Sequence, residues 1–117
     1  MPFDPGLAAR LDELVADRFA HVIGLAPKKM FGGIGYMLNG NMCFGIYNDM
    51  LMIRVGEATA AKVLQEKHVR PMDLTGKIMK GWATVQPEAM VEDEDLERFC
   101  RYAVDFVARL PGKLNGV

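Results

Sequence analysis

Apolar residues in the first part of the chain recur with the spacing of a helix. They fall every three or four positions from Leu7 to Val22, which places them along one face of a helix. Asp4 can cap that helix, and Pro5 suits its first turn because the missing N–H would have no partner there. Gly24 ends the periodic segment. The pattern predicts an amphipathic helix from about Asp4 to Val22.

The apolar period changes from 3.6 to 2 residues between Lys28 and Val55, which is the pattern of β-strands. Asn39-Gly40 is a strong hairpin signal because both residues tolerate the positive φ of a type I′ turn, and Asn48-Asp49 is a weaker one. Strands paired at these turns present their side chains on two faces. On the first face, which we expect the helices to cover, lie Gly33, Gly35, Met37, Met42, Phe44, Ile46, Leu51, Ile53 and Val55. On the second face lie Ile34, Tyr36, Leu38, Cys43, Tyr47, Met50, Met52 and Arg54.

The rest of the chain predicts two more helices and one more strand. A second helix runs from about Gly56 to His68, and a polar segment with glycine and proline, Val69 to Gly81, predicts a loop. Trp82 to Gln86 predicts a short strand, and the apolar stripe from Asp93 to Leu110 predicts the last helix. The elements together predict an α+β fold. A single antiparallel sheet of about four to five strands, built as a meander of hairpins, packs with an N-terminal, a middle and a C-terminal helix.

Composition limits the class of protein. Of the 117 residues, half are apolar and a quarter are charged, which is typical of one globular domain. We expect that domain to span residues 1–117, with 111–117 as a short tail. No apolar run approaches the roughly 20 residues of a membrane span, and the N-terminus lacks the features of a signal peptide, so we expect a cytoplasmic protein without membrane contact. The net charge of −1 argues against a general nucleic-acid binder.

The sequence contains no motif that predicts an enzyme. It has no serine, and Cys43 and Cys100 lie among apolar neighbours without metal-ligand spacing. His21 and His68 are isolated from other candidate catalytic residues. The glycines of Gly32-Gly33-Ile34-Gly35 lead into a strand, whereas a dinucleotide-binding motif must lead into a helix. We therefore expect no catalytic residue, no cofactor, no metal site and two buried free thiols.

Two surfaces are candidates for function. The second sheet face is more apolar than an ordinary solvent-facing surface, and large apolar patches mark contact sites. Its candidate interaction residues are Tyr36, Tyr47, Met50, Met52 and Arg54. Either the loop from Val69 to Gly81 crosses this face or a second copy of the chain covers it, and a homodimer is the favoured cover. The other surface is a candidate basic patch of Lys67, His68, Arg70, Lys77, Lys80 and Trp82, because cations beside an aromatic residue bind nucleic acid or acidic partners.

The stretch from Lys28 to Gly56 reads KKMFGGIGYMLNGNMCFGIYNDMLMIRVG, and it resembles the signature of the TfoX/Sxy family N-terminal domain. A second matching block is Met79-Lys80-Gly81-Trp82, and the similarity reaches to about Leu110. The resemblance implies an α+β fold and an association with regulators of natural competence, thought to act with a cyclic-AMP-responsive transcription factor. Those regulators are longer and carry a second, C-terminal helical domain. The resemblance here covers the N-terminal domain alone, so we expect this chain to be a stand-alone N-terminal domain.

Three functional hypotheses follow. The favoured one is a non-enzymatic regulatory or protein-interaction module with an unknown protein partner, because of the family resemblance and the apolar second face. The first alternative is a nucleic-acid-associated transcriptional regulator that uses the basic segment 67–82. The second alternative is a small enzyme or ligand binder whose pocket the sequence does not reveal.

Overall fold

The computed structural model describes residues 4–30, 33–73 and 76–111. The helices in these residues are α1 (Pro5–Arg18), α2 (Glu57–Val63), the short 3₁₀ helix Pro87–Ala89 and α3 (Asp93–Val107). The strands are β1 (Ala26–Met30), β2 (Gly33–Leu38), β3 (Asn41–Tyr47), β4 (Met50–Arg54), β5 (Val69–Pro71) and β6 (Trp82–Val85). Phe31, Gly32 and the tail 112–117 lie outside the described residues. No helix in the described ranges is long and apolar enough to cross a membrane.

The predicted N-terminal cap of α1 is confirmed. The Asp4 carboxylate accepts a hydrogen bond from the backbone N–H of Gly6 at 2.9 Å. The helix ends at Arg18, four residues before the predicted Val22, because the chain turns at Phe19 and buries that ring in the core. Tertiary burial of one aromatic side chain therefore ends the helix earlier than the periodic pattern does.

All six strands form one antiparallel sheet in the order β1-β2-β3-β4-β6-β5. The predicted α+β fold with a meander of hairpins is confirmed, with one strand more than expected. The additional strand, β5, lies within the segment predicted to be a loop, where Val69 pairs with Val85. The chain reaches β5 by ending α2 at Val63 and adopting a positive φ of 64° at His68. The predicted end of α2 at His68 was therefore wrong.

The helices bury one face of this sheet. Phe44, Ile46, Leu51 and Ile53 are fully buried in a core that they share with α1, α2 and α3, so the predicted register of β3 with β4 is confirmed. Fully buried residues of α3, such as Leu96 and Phe99, complete this core. Burial of this size is the main stabilising contribution to the fold.

The predicted faces of β2 were wrong because β3 contains a bulge. Counting from the Asn39-Gly40 turn, Tyr36 would lie opposite Cys43. In the structure Tyr36 pairs with Phe44, whereas Met37 pairs with Met42, so Cys43 is the extra residue. A shift of one residue exchanges the two faces of a strand. Ile34, Tyr36, Leu38 and Cys43 therefore belong to the helix-covered core, and Gly33, Gly35, Met37 and Met42 lie on the opposite side.

Close contact between β2 and β3 beyond the bulge generates a stability prediction. Gly45 lies opposite Gly35, and a β-carbon added at Gly45 would lie 2.7 Å from the carbonyl oxygen of Ile34. Because that neighbour is backbone, it has little room to move. We expect Gly45→Ala to lower the free energy of unfolding by about 1–3 kcal/mol, measured by urea denaturation.

The same change in α1 is the control. A β-carbon at Gly6 would meet only the Asp4 carboxylate, at the ordinary distance of 3.4 Å. Alanine is the better helix former, so Gly6→Ala should raise the free energy of unfolding by up to about 1 kcal/mol. Equal stability of Gly45→Ala and the wild type would contradict the close approach of the two strands.

Candidate functional site

The sheet face opposite the helices is the candidate functional site, and we call it the open face. The strand register places on it Lys28, Gly35, Met37, Met42, Gly45, Tyr47, Met50, Met52, Arg54, Arg70, Trp82 and Thr84. None of these residues belongs to the core that the described helices share with the sheet. The open face is therefore a second surface of the sheet, packed independently of the helices.

One row of residues crosses the open face from edge to edge. Successive pairs join Lys28 to Gly35, then to Gly45, Met52, Thr84 and finally Arg70. Six strands at about 4.8 Å spacing make this row roughly 24 Å long. The row carries a cation at each end, while its centre is formed by small or apolar residues. The face therefore has a positively charged rim on two sides and a neutral middle.

Methionine side chains surround the low centre of the open face. Met52 is 7 % exposed, whereas Met37, Met42 and Met50 are partly exposed around it. The methyl carbon of Met42 lies 3.0 Å from the position that a β-carbon of Gly45 would occupy, so Met42 leans over the glycine. Methionine is unbranched and flexible, and it adapts to different contact surfaces. The centre of the face is thus closed by side chains that can rearrange.

At the end of β4, a charged residue lies close to an aromatic residue of the neighbouring strand β6. Arg54 pairs with Trp82 across β4 and β6, and its guanidinium carbon lies 5.9 Å from the centroid of the Trp82 ring. This distance is within the range of cation–π attraction. The contact holds one further positive charge over the face, in addition to Lys28 and Arg70.

Four of the five predicted interaction residues lie together, and the fifth does not. Tyr47, Met50, Met52 and Arg54 are on the open face as predicted. Tyr36 is only 3 % exposed in the helical core, and its ring stacks on Phe44 with centroids 5.0 Å apart. Burial, together with the nearby Asp12 carboxylate, raises the pKa of Tyr36 to about 12. Tyr36 is therefore not part of the candidate interaction face, because the bulge in β3 places it on the helix-covered side of the sheet.

Sequence reasoning missed more than half of the open face. The missed residues are Lys28, Gly35, Met37, Met42, Gly45, Arg70, Trp82 and Thr84. Those in β2 and the first part of β3 were missed because of the bulge. Those in β5 and β6 were missed because the pairing of these strands with β4 depends on distant parts of the chain. The one local signal was the alternation of Gly33 and Gly35, which marks a strand side with little side-chain bulk.

The predicted basic patch lies on β5, on β6 and in the segments before and after β5. Lys67 and His68 are exposed in the turn before β5, Arg70 is exposed within β5, and Lys77 and Lys80 are exposed between β5 and β6. Trp82, the aromatic member of the patch, is half-buried beneath Arg54. Of the exposed basic residues, Arg70 therefore lies on the edge strand β5, and Trp82, the aromatic member, lies on the open face.

The other edge strand has a similar composition. β1 reads Ala-Pro-Lys-Lys-Met, and β5 reads Val-Arg-Pro. Proline and charged residues on edge strands prevent further strands from adding to a sheet. This requirement accounts for Lys28, Lys29 and Arg70 as edge residues before any ligand is considered.

The cysteines have the surroundings of structural thiols. Cys43 and Cys100 are both free and fully buried. Burial raises the pKa of the Cys43 thiol to about 12, and burial raises the pKa of Cys100 well above its ordinary value. Neither residue is a thiolate at neutral pH, and the thiolate is the reactive form.

Charged side chains in one surface depression pair with one another, as Arg10 does with Asp93 and Arg18 with Asp17. A depression of about 260 Å³ between α1 and α3 is lined by Arg10, Glu13, Leu14, Asp17, Arg18 and Asp93. Arg10 is occupied there, because it donates to the carbonyl of Met90 and to the Asp93 carboxylate, each at 2.9 Å. Within residues 4–30, 33–73 and 76–111, no group of three or more His, Cys, Asp or Glu side chains is placed to hold a metal ion.

Comparison with protein-family models identifies a known domain. The model described as the TfoX N-terminal domain matches residues 17–107, a range that begins in the last turn of α1, contains β1 to β6 and ends with α3. Comparisons with curated proteins and with solved structures give no match. The family model covers well over half of the 117 residues, and it includes the stretch from Lys28 to Gly56 that carries the resemblance. The chain therefore belongs to the TfoX N-terminal domain family.

Proposed function

We propose that this TfoX N-terminal domain is a non-catalytic regulatory module that binds another protein through its open face. The observation that carries the proposal is a sheet face of methionines and Tyr47 that no described helix covers. Methionine and tyrosine are enriched at protein interfaces. The family association with regulators of natural competence agrees with a regulatory role. The two buried free thiols agree with a reducing, cytoplasmic location.

A homodimer through the open face stays a prediction, although fewer apolar residues lie on this face than the sequence indicated. Transfer of Ile34, Tyr36 and Leu38 to the helical core leaves the face less apolar than the sequence indicated. The competing cover is the segment from Val69 to Gly81, which places β5 in the plane of the sheet. In this segment Met72 is 5 % exposed although it lies outside the helical core, whereas Ile78 is 68 % exposed. Light scattering separates a single chain of 13.0 kDa from a dimer of twice that mass.

Nucleic-acid binding is the second candidate, because five basic members of the predicted patch are exposed, and one of them, Arg70, lies on the edge strand β5. Phosphate contacts release counterions, so such binding must weaken steeply with salt. The edge-strand role of Arg70 and the net charge of −1 favour the protein-interaction proposal. A small-molecule site is the third candidate, and the charged depression beside Arg10 gives it little support.

Chemical labelling of the thiols tests the non-catalytic part of the proposal. We expect a thiol reagent to modify Cys43 and Cys100 slowly in the folded protein, because both are buried and protonated. In denaturant both residues should react at the rate of exposed cysteines. Absorbance of the released chromophore measures both rates. Rapid labelling of one thiol per folded chain would contradict this prediction and favour an enzyme.

Partner capture from the native cell tests the role of the open face. We expect Tyr47→Glu, on the open face, to reduce captured partner at least tenfold, because a negative charge would replace an aromatic ring at the contact. Arg109→Glu is the control, since Arg109 is exposed, follows α3 and belongs to no strand. Thermal unfolding establishes that both variants remain folded. Equal capture by the wild type and Tyr47→Glu would exclude the open face as the binding surface.

DNA retention tests the second candidate. We expect the wild-type protein to pass through a duplex-DNA column at about 150 mM salt, where the Debye length is near 8 Å. Retention that falls steeply with salt and is lost in Lys77→Glu would favour the nucleic-acid regulator instead. Lys62→Glu, in α2, serves there as the charge-matched control.

A further inference from the structure

We propose that the partner segment bound by the open face is an acidic amphipathic helix. This inference rests on the proposed function, and it adds the shape and charge of the partner. It depends on three properties of the open face: the dimensions of the neutral centre, the side chains that close that centre, and the sign of the surrounding charge.

The neutral centre has the dimensions of one helix. From Gly35 to Thr84 the central row crosses three strand spacings, which is about 14 Å. An α-helix with its side chains is about 10–12 Å wide. Along the strands, the face from Met50 to Arg54 is about 14 Å long, which corresponds to roughly nine helical residues. A helix of two to three turns, aligned with the strands, therefore fills the centre.

The floor of this centre permits close approach. Gly35 and Gly45 lie side by side in the central row without side chains, and glycine in a strand often marks a place where other groups come near. Met42 covers Gly45 in the free protein. A flexible methionine can move aside and then pack against the helix that replaces it. Met37 and Met50 are placed to form the two ends of the resulting groove.

All charges that the strands place on the open face are positive. They are Lys28 at the β1 edge, Arg70 at the β5 edge and Arg54 above Trp82. In the described residues of β1 to β6, no Asp or Glu occupies a position on this face. Asp49 and Asp73 lie outside it, in the segments that follow β3 and β5. Complementary charge therefore requires carboxylates along the two sides of the bound helix.

The same charges disfavour the other occupants. In a two-fold dimer the same patch of both copies meets, so cations would face cations with no carboxylate to pair with them, and like charges in contact are unfavourable. Nucleic acid requires a series of cations along its phosphates. The centre of the open face instead offers Met52 and two glycines, and its aromatic Trp82 is covered by Arg54.

The methionines allow the inference to be tested directly. We would label the methionine methyl groups of the full chain with ¹³C and titrate an amphipathic Leu/Glu peptide of about fourteen residues, long enough for the site. The matched control peptide has Lys in place of every Glu. We expect the Glu peptide to shift the methyl signals of Met37, Met42, Met50 and Met52. Met90, which is 1 % exposed in the helical core, should not shift.

Charge reversal at the rim is the second measurement. The double variant Lys28→Glu/Arg70→Glu should weaken binding of the Glu peptide at least tenfold, because both exposed edge cations are reversed. Lys62→Glu/Arg109→Glu is the matched control, with the same change of charge at two residues outside the strands. In the wild type the affinity should fall as salt is added, and this measurement needs no variant to fold.

Four results would overturn the inference. Equal binding of the Lys peptide would show that charge does not select the partner. Absence of any methyl shift would show that no helix binds to the open face. Methyl shifts that depend on protein concentration alone would identify a second copy as the occupant. In these three cases the proposed function still stands or falls separately, by partner capture with Tyr47→Glu. Preferential shift of the same methyls by a DNA duplex would overturn both proposals.

Discussion

The extra residue that β3 inserts at Cys43 determines which side chains of β2 lie beneath the helices. Because of it, Tyr36 pairs with Phe44, and the two rings stack in the core. The same shift turns Met37 away from the helices and brings Gly35 beside Gly45, where the strands approach too closely for a β-carbon. Core packing on one side and the methionine-lined centre on the other therefore have a common origin. Removing the bulge would exchange the two sides of β2 and disrupt both.

Because the helices lie on a single side of the sheet, they cover neither its two edges nor its second face. Prolines and cations on the edge strands β1 and β5 prevent further strands from pairing with them. Two of those edge cations, Lys28 and Arg70, also end the central row of the open face. Residues needed to protect the edges thus give the second face its positive rim. This double role explains how a chain of net charge −1 presents a sheet face with a positively charged rim.

Residues that carry the family resemblance have structural roles in this molecule. The carbonyl of Gly81, in the block Met79-Lys80-Gly81-Trp82, accepts hydrogen bonds from the N–H groups of Val55 and Gly56, at 2.9 and 3.0 Å. Gly56 has a φ of 84°, and a β-carbon there would lie 2.5 Å from the ring of Phe106. These glycines join the end of β4 to the start of β6 and allow α3 to pack closely. Membership of the family is therefore recognised through the scaffold, while the open face is what the scaffold presents.

Local pattern in the sequence determined the three α-helices, the hairpins at Asn39-Gly40 and Asn48-Asp49, and the burial of Leu51 and Ile53 with Phe44 and Ile46. These features depend on residues close together in the chain, because the spacing of apolar residues indicates a helix or a strand and the turn residues indicate where a hairpin forms. Tertiary structure alone decided the bulge, because alternation cannot reveal an inserted residue when both sides of a strand are apolar. It also decided β5, since three residues form a strand only when β6 supplies their hydrogen bonds. The row from Lys28 to Arg70 joins residues from six strands, and only the pairing of distant segments brings its two charges to opposite sides of one neutral surface.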